Sequence, residues 1–299
     1  MRFTFTEDQL AFRDSFKSFL AEACAPSVVR AAWELRPAEL WGQLAELGLL
    51  ALELPEEQGG LGLSATDMVL LWEESGYTAL PLPFLEVTAL APLLPAELAR
   101  RVGAGEALVT LGPRAWDADI AEAVVVGTTL STDFSTRPRS SVDGARRLFD
   151  VVIEGGETIA DPTPRATLAA SAQLIGLGRR MLDITVDYAK VRRQFSKPIG
   201  SFQAVQFHLA DALLRLEFAA PLVYLAAATL DPLHIAMAKA SAGEAAHVAG
   251  RKALQCHGAI GYCTEHDLHL FLKRSWALQS SFGLAADHIE TVGRAVLGD

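Results

Sequence analysis

The stretch RRQFSKPIGSFQAVQ, residues 192–206, sets two arginines, a lysine and a proline directly ahead of a new apolar run. Upstream, RATLAASAQLIGLGRRMLDITVDYAKVRRQF keeps its apolar residues at helical spacing as far as Pro198, which lacks an N–H and clashes with the preceding turn. Downstream, Ser201 predicts the N-cap of FQAVQFHLADALLRLEFAAPLVYLAAATL, with a kink at Pro221. Asp231 and Pro232 predict the cap and first position of a further helix reaching about Cys256. The Gly-rich HGAIGY then precedes a last helical stretch. Antiparallel helices with apolar stripes assemble most economically as a four-helix bundle, so 163–299 reads as a C-terminal bundle domain.

Ahead of it, 105–162 changes period. Short β-branched runs (ALVTLG, AVVVGTTL, RLFDVVIEG) alternate with Gly, Asp, Ser and Pro, which predicts a small β domain of about four to six strands. Residues 1–104 are helical again. Leu10, Phe12, Phe16, Phe19 and Leu20 share one face behind an N-cap at Thr6. AELWGQLAELGLLAL predicts a second helix, ending near the turn PEEQGGLGLSATD, where Ser64 and Asp67 form a capping pair. The fold class is therefore mainly α: helical domain, small β domain, helical bundle.

Composition excludes several functions. With 299 residues, 51% of them hydrophobic, the chain can bury a large core and is neither disordered nor fibrous. A net charge of −10 argues against a nucleic-acid partner, because a phosphate-dominated interface needs a basic surface. The local cations at 192–197 must then serve something small. Cys24, Cys256 and Cys263 form no disulfide or metal-ligand pattern, and Glu7 and Asp8 stand where a signal peptide would begin, so the expected location is cytoplasmic. No uninterrupted apolar run is expected to span a bilayer, and no membrane partner is expected.

The domain order and three motifs resemble the acyl-CoA dehydrogenase family, flavoproteins that desaturate the α,β bond of acyl-CoA thioesters. LAELGLLALELPEEQGGLGLSATD is similar to the family's N-terminal signature, YAKVRRQFSKPIGSFQAVQFHLAD to its bundle signature, and QCHGAIGYCTEHDLHLFLKR to its Q-x-H-G-x-x-G-Y segment. The resemblance implies FAD as cofactor, an acyl-CoA substrate and electron-transfer flavoprotein as electron acceptor. It also implies that residues matching 192–195 touch the diphosphate of a FAD whose flavin sits in a neighbouring subunit. Arg192 would then pair with phosphate oxygens, Gln194 add a neutral hydrogen bond and Phe195 an apolar wall. Gln255, Gly258 and Ala259 match the second diphosphate contact. The residues alone leave open that Arg192 and Arg193 are solvated helix-end cations and Phe195 ordinary core.

The chain also departs from the family pattern. Desaturation needs a carboxylate to take the α-proton. The usual Glu after the last signature falls on Phe282, and the alternative position at the start of the first bundle helix on Ala166. The β segment is short, without counterparts of the family's T-E-x-x-A-G-S-D loop or W-x-T strand. Three readings follow. The first is the smaller subunit of an α2β2 acyl-CoA dehydrogenase, like bacterial members that handle steroid side chains or ring remnants, in which a full-length paralogue supplies the base. The second is a self-sufficient homo-oligomer with a relocated carboxylate, such as Asp161, Glu265 or Asp287. The third is a flavin-free scaffold.

Other residues carry blander expectations. His257, His266 and His269 lie close in sequence, with His266 and His269 expected on one helix face, but no metal site is expected. Asp287, His288 and Glu290 read as plain charges of a helix start, and Lys273 and Arg274 as a solvated helix end. Leu268, Leu270, Phe271, Leu272 and Trp276 populate more than one side of the last helix, which predicts an oligomer interface there.

Overall fold

The computed structural model describes residues 4–298. Thr6 Oγ1 accepts from the Gln9 N–H while Gln9 Oε1 accepts from the Thr6 N–H, and this reciprocal cap opens helix α1 (Glu7–Ala23). Its expected face is the buried one: Phe16 and Leu20 are fully inside, with Leu10, Phe12 and Phe19 packed around them. After α2 (Pro26–Ala31), α3 spans only Ala38–Glu46, shorter than AELWGQLAELGLLAL suggests. Gly48, at φ +68°, turns the chain out of the helix, a conformation costly for most other residues. Ser64 and Asp67 form the expected cap of α4 (Ala65–Tyr77), and α5 (Phe84–Leu90) and α6 (Ala96–Gly103) follow.

Seven strands follow where about four to six were expected: β1 (Val109–Gly112), β2 (Arg114–Trp116), β3 (Ala123–Val126), β4 (Thr129–Ser131), β5 (Phe134–Arg139), β6 (Leu148–Ile153) and β7 (Glu157–Thr158). The additional pairing comes from β7, only two residues long. They form two sheets, ordered β1-β3-β4-β7 and β2-β6-β5, with β1 and β3 parallel and the other pairs antiparallel. Ala115, Val124, Phe149 and Val151 make a small second core between them.

Helix α7 (Thr163–Val191) is the axis of the molecule, packing on α4, α5 and the rest of the bundle. It stops at Val191, short of Pro198: Arg192 is already extended, and β8 (Arg193–Gln194) and β9 (Lys197–Pro198) form a small hairpin. Helix α8 (Gln203–Thr229) runs through Pro221, and Asp231 caps α9 (Pro232–His257) by accepting from the Leu233 N–H. A 3-10 turn, Gly258–Tyr262, leads to α10 (Leu268–Gln279) and α11 (Ala285–Leu297).

Four expectations are corrected here. Ser201 does not cap α8. Its hydroxyl donates to the Pro198 carbonyl, and Phe202 holds the cap position. Helix α8 is, by length and composition, apolar enough to cross a membrane, with mean hydropathy 1.4, because it carries two apolar sides. One side, including Leu216, Ala219 and Val223, is buried in the bundle; the other exposes Phe207, Leu214 and Phe218. Finally, Leu268, Leu270, Phe271 and Leu272 are buried in this chain's own core, so of the residues expected at an α10 interface only Trp276 is exposed. Arg274 is likewise no solvated helix end, since it is buried, ion-paired with Asp143 and bonded to the Leu80 carbonyl.

Candidate functional site

Two chain segments carry the predicted residues, and each stands at the end of a long bundle helix. At the end of α7, the Arg192 N–H donates to the Tyr188 carbonyl at 2.8 Å, and the chain then enters the β8–β9 hairpin. Arg193 closes that hairpin by donating to the Ser196 carbonyl, and Phe195 and Ser196 both hold positive φ at its tip. A left-handed phenylalanine costs energy. It leaves Phe195 87% exposed, so the ring is not ordinary core; an edge-on contact to Phe202 and Lys197 over the Phe202 ring brace it.

At the end of α9, Gly258 takes φ +64° and starts the 3-10 turn, with open space where a Cβ would stand. Cys263 Sγ contacts the Ala259 carbonyl, holding the turn from its far side. Gln255 lies one turn back, in a groove of about 550 Å³ between α8 and α9, shared with His208, Asp211, Arg251 and Lys252. The two segments are brought together by stacked rings, Tyr188 on His257 at 4.4 Å.

The donor set fits a diphosphate. The side chains of Arg192, Gln194 and Gln255 have no hydrogen-bond or ion-pair partner among the described residues. Exposed guanidinium and amide donors on two braced turns match the acceptor oxygens of such a group. His257 Nε2, a buried ring nitrogen behind the turn, has no partner among the described residues and takes no part in that donor set.

The two positions on which the resemblance would put a base are both packed. Ala166 is completely buried inside α7, and Phe282, at φ +56°, packs half-buried against the main core. The carboxylates considered as replacements are not gathered anywhere. Asp161 is exposed and accepts from the Thr163 N–H, Glu265 is exposed, and Asp287 caps α11 by accepting from the Leu284 N–H. His288 Nε2 donates to the Phe282 carbonyl at 2.9 Å, and Glu290 pairs with Arg294. His266 precedes α10, so it shares no helix face with His269, and no metal-holding cluster occurs among the described residues.

Sequence reasoning missed two groups. Glu53 is buried against Arg165, one residue before Ala166, and burial raises its carboxyl above the usual range despite that arginine. Lys239 is a buried amine in α9; the signal was a lone lysine in the alanine-rich run AMAKASAGEAA.

Residues 6–95 match the model of the acyl-CoA dehydrogenase N-terminal domain and residues 163–297 that of the acyl-CoA dehydrogenase C-terminal domain. The chain belongs to the acyl-CoA dehydrogenase family. It is 35% identical to acyl-CoA dehydrogenase IpdE2 of Mycobacterium tuberculosis, over 90% of this chain and 91% of that one. The same fold is found in the ChsE4-ChsE5 complex of Mycobacterium tuberculosis, with TM-score 0.87 at 22% identity and full coverage of both chains. A steroid acyl-CoA dehydrogenase, Tcur3481-Tcur3483, matches with TM-score 0.90 at 21% identity, over 97% of this chain and 98% of that one.

Proposed function

We propose that this chain is the smaller subunit of a heteromeric, FAD-dependent acyl-CoA dehydrogenase. In this reading it completes the dinucleotide site of a full-length partner that carries the catalytic Glu. The observation that carries it is the contrast just described: Phe282 and Ala166 are packed where a base would stand, while Arg192, Gln194 and Phe195 face outward on a hairpin that none of the described residues covers. Arg192 would hold phosphate oxygens bidentately, Gln194 and Gln255 would add neutral donors, and the backbone of Gly258 and Ala259 would approach the diphosphate closely. When bound, FAD supplies the uptake of the β-hydrogen as hydride; the protein must supply the base. Electrons would leave to an electron-transfer flavoprotein. We take 1–104, 105–162 and 163–299 as the domain division, with the partner seated on the bundle. The exposed stripe Phe207, Leu214 and Phe218 of α8, together with Ile289 and Val296 of α11, is the apolar area such a partner would cover.

The test is co-expression with a full-length acyl-CoA dehydrogenase paralogue, followed by flavin absorbance of the purified assembly. Arg192→Ala should cost about ten- to a hundred-fold in FAD affinity, the value of a charge-assisted hydrogen bond, with folding retained. Unchanged flavin content in a folded variant overturns the Arg192 assignment.

One observation favours the self-sufficient reading. Glu53 is a buried carboxyl with a raised pKa beside the first turn of α7. Turnover by the chain alone, abolished by Glu53→Gln, would replace the subunit reading with that one.

A further inference from the structure

Three aromatic rings from three elements meet behind the candidate site. Tyr188, in the last turn of α7, stacks on His257, the last residue of α9, with centroids 4.4 Å apart and planes 18° from parallel. His266, just ahead of α10, meets His257 at 4.6 Å and Tyr188 at 6.0 Å, both edge-on. None of the three was given a role by the sequence motifs around them.

The hydrogen bonds fix each ring's orientation. His257 Nδ1 lies 2.8 Å from the Ala253 carbonyl, which can only accept, so Nδ1 carries the proton. His266 Nδ1 faces the Leu268 N–H, which can only donate, so this nitrogen is the acceptor. His266 is therefore neutral, and burial disfavours the charged form of both rings by holding them below their ordinary pKa. Neutral rings at these separations attract through offset stacking and edge-to-face contact, without like-charge repulsion.

We infer that the Tyr188, His257 and His266 cluster is a positioning device that sets the spacing between the hairpin bearing Arg192 and Gln194 and the turn bearing Gly258 and Ala259, so that both reach one dinucleotide diphosphate. It rests on the dinucleotide reading above. Tyr188 governs the hairpin because its own carbonyl accepts the Arg192 N–H. His257 governs the turn because Gly258 follows it directly, at φ +64°, so the place of the ring sets where the turn begins. His266 holds the return segment of the same loop, and Arg30 braces that segment from outside by donating to the Thr264 carbonyl and to Asp267. The cluster is thus where the two halves of the site are fixed to each other, and none of its rings needs to touch the ligand.

Two readouts test it, FAD affinity of the assembled protein and amide hydrogen exchange of residues 192–200, with circular dichroism as the folding control. Tyr188→Phe keeps a ring and should bind FAD within about twofold of the parent, whereas Tyr188→Leu and His257→Leu should each lose about tenfold. His257→Leu should also speed exchange in 192–200, although that segment belongs to another element; a ring with only a local role would leave it unmoved. Unchanged exchange in 192–200 for a folded His257→Leu overturns the inference, as does a loss in Tyr188→Phe equal to that in Tyr188→Leu. Failure of the parent itself to bind FAD overturns the dinucleotide reading instead, and exchange still decides whether the rings couple the two segments.

Discussion

Lys239 Nζ donates to the Gly283 carbonyl at 3.0 Å and to the Gln279 carbonyl at 3.2 Å, although Lys239 is only 2% exposed. The end of α10 and the loop bearing Phe282 thus hang from one amine in α9. Lys239→Met fills similar space but leaves both carbonyls without a donor, which costs about 1–3 kcal/mol. We expect a lower urea midpoint at neutral pH and faster amide exchange confined first to residues 279–284. An unchanged midpoint would mean that the loop is held by packing alone.

The same amine makes stability depend on alkaline pH. Burial pulls the Lys239 pKa down to about 8 from 10.5, with Asp287 opposing weakly. Between those values the unfolded chain binds the extra proton, so stability rises with pH across that window, by at most about 3 kcal/mol. Lys239→Met should flatten the rise. On the acid side, burial holds His257, His266, His269 and His288 below 6.5. The unfolded chain then takes up protons first as pH falls below 6.5, and stability should drop. Urea midpoints across the pH range check both limbs.

Helix positions and caps were legible because their signals are local. Thr6, Ser64 and Asp231 act as expected, and the order of helices, strands and bundle follows the change of hydrophobic period. What failed depends on tertiary context. Ser201 has cap chemistry, but the Pro198 carbonyl captures its hydroxyl. The apolar faces of α10 looked like an interface, because periodicity cannot tell a helix buried by its own chain from one buried by a partner. Arg192, Gln194 and Gln255 were picked out by motif, yet the ring stack that joins their two segments lies between residues 188 and 257, a separation no local pattern reveals.

Glycine at the α4–α7 crossing gives a sharp contrast. A Cβ at Gly176 would stand 1.9 Å from the Glu73 carbonyl oxygen and 2.6 Å from the Tyr77 nitrogen, so the two backbones touch there. Alanine is favoured over glycine in a helix by about 1 kcal/mol. Gly176→Ala should nevertheless destabilise by roughly 1–3 kcal/mol or more, because two packed helices must separate. Gly243, inside α9 with nothing within 4 Å of the place a Cβ would take, should show the reverse, with Gly243→Ala stabilising by about 0.4–1 kcal/mol. Thermal unfolding of the pair tests the crossing directly, and equal shifts would refute it.

The final prediction concerns the base. Phe282 sits at φ +56° with its carbonyl facing His288 and its loop tied to Lys239, so the residue at this position is aimed by the surrounding hydrogen bonds. Phe282→Glu would introduce a carboxylate into a half-buried place that packs against apolar side chains. General-base removal is worth roughly 10²–10⁴-fold, and electrostatic positioning of the thioester contributes more. In the subunit reading the second part comes from the partner, since the strands of this chain are confined to residues 109–158. Restoring one carboxylate therefore replaces one of two missing parts. We expect negligible dye-coupled oxidation of a panel of acyl-CoA thioesters by the chain alone and by Phe282→Glu alike. The assembly with a full-length partner should turn over, should lose activity when the partner's Glu is replaced, and should change little with Phe282→Leu. Robust turnover by the unmodified chain alone would overturn the subunit reading, and Glu53→Gln would then be the first substitution to make, ahead of alanine at Asp161, Glu265 and Asp287.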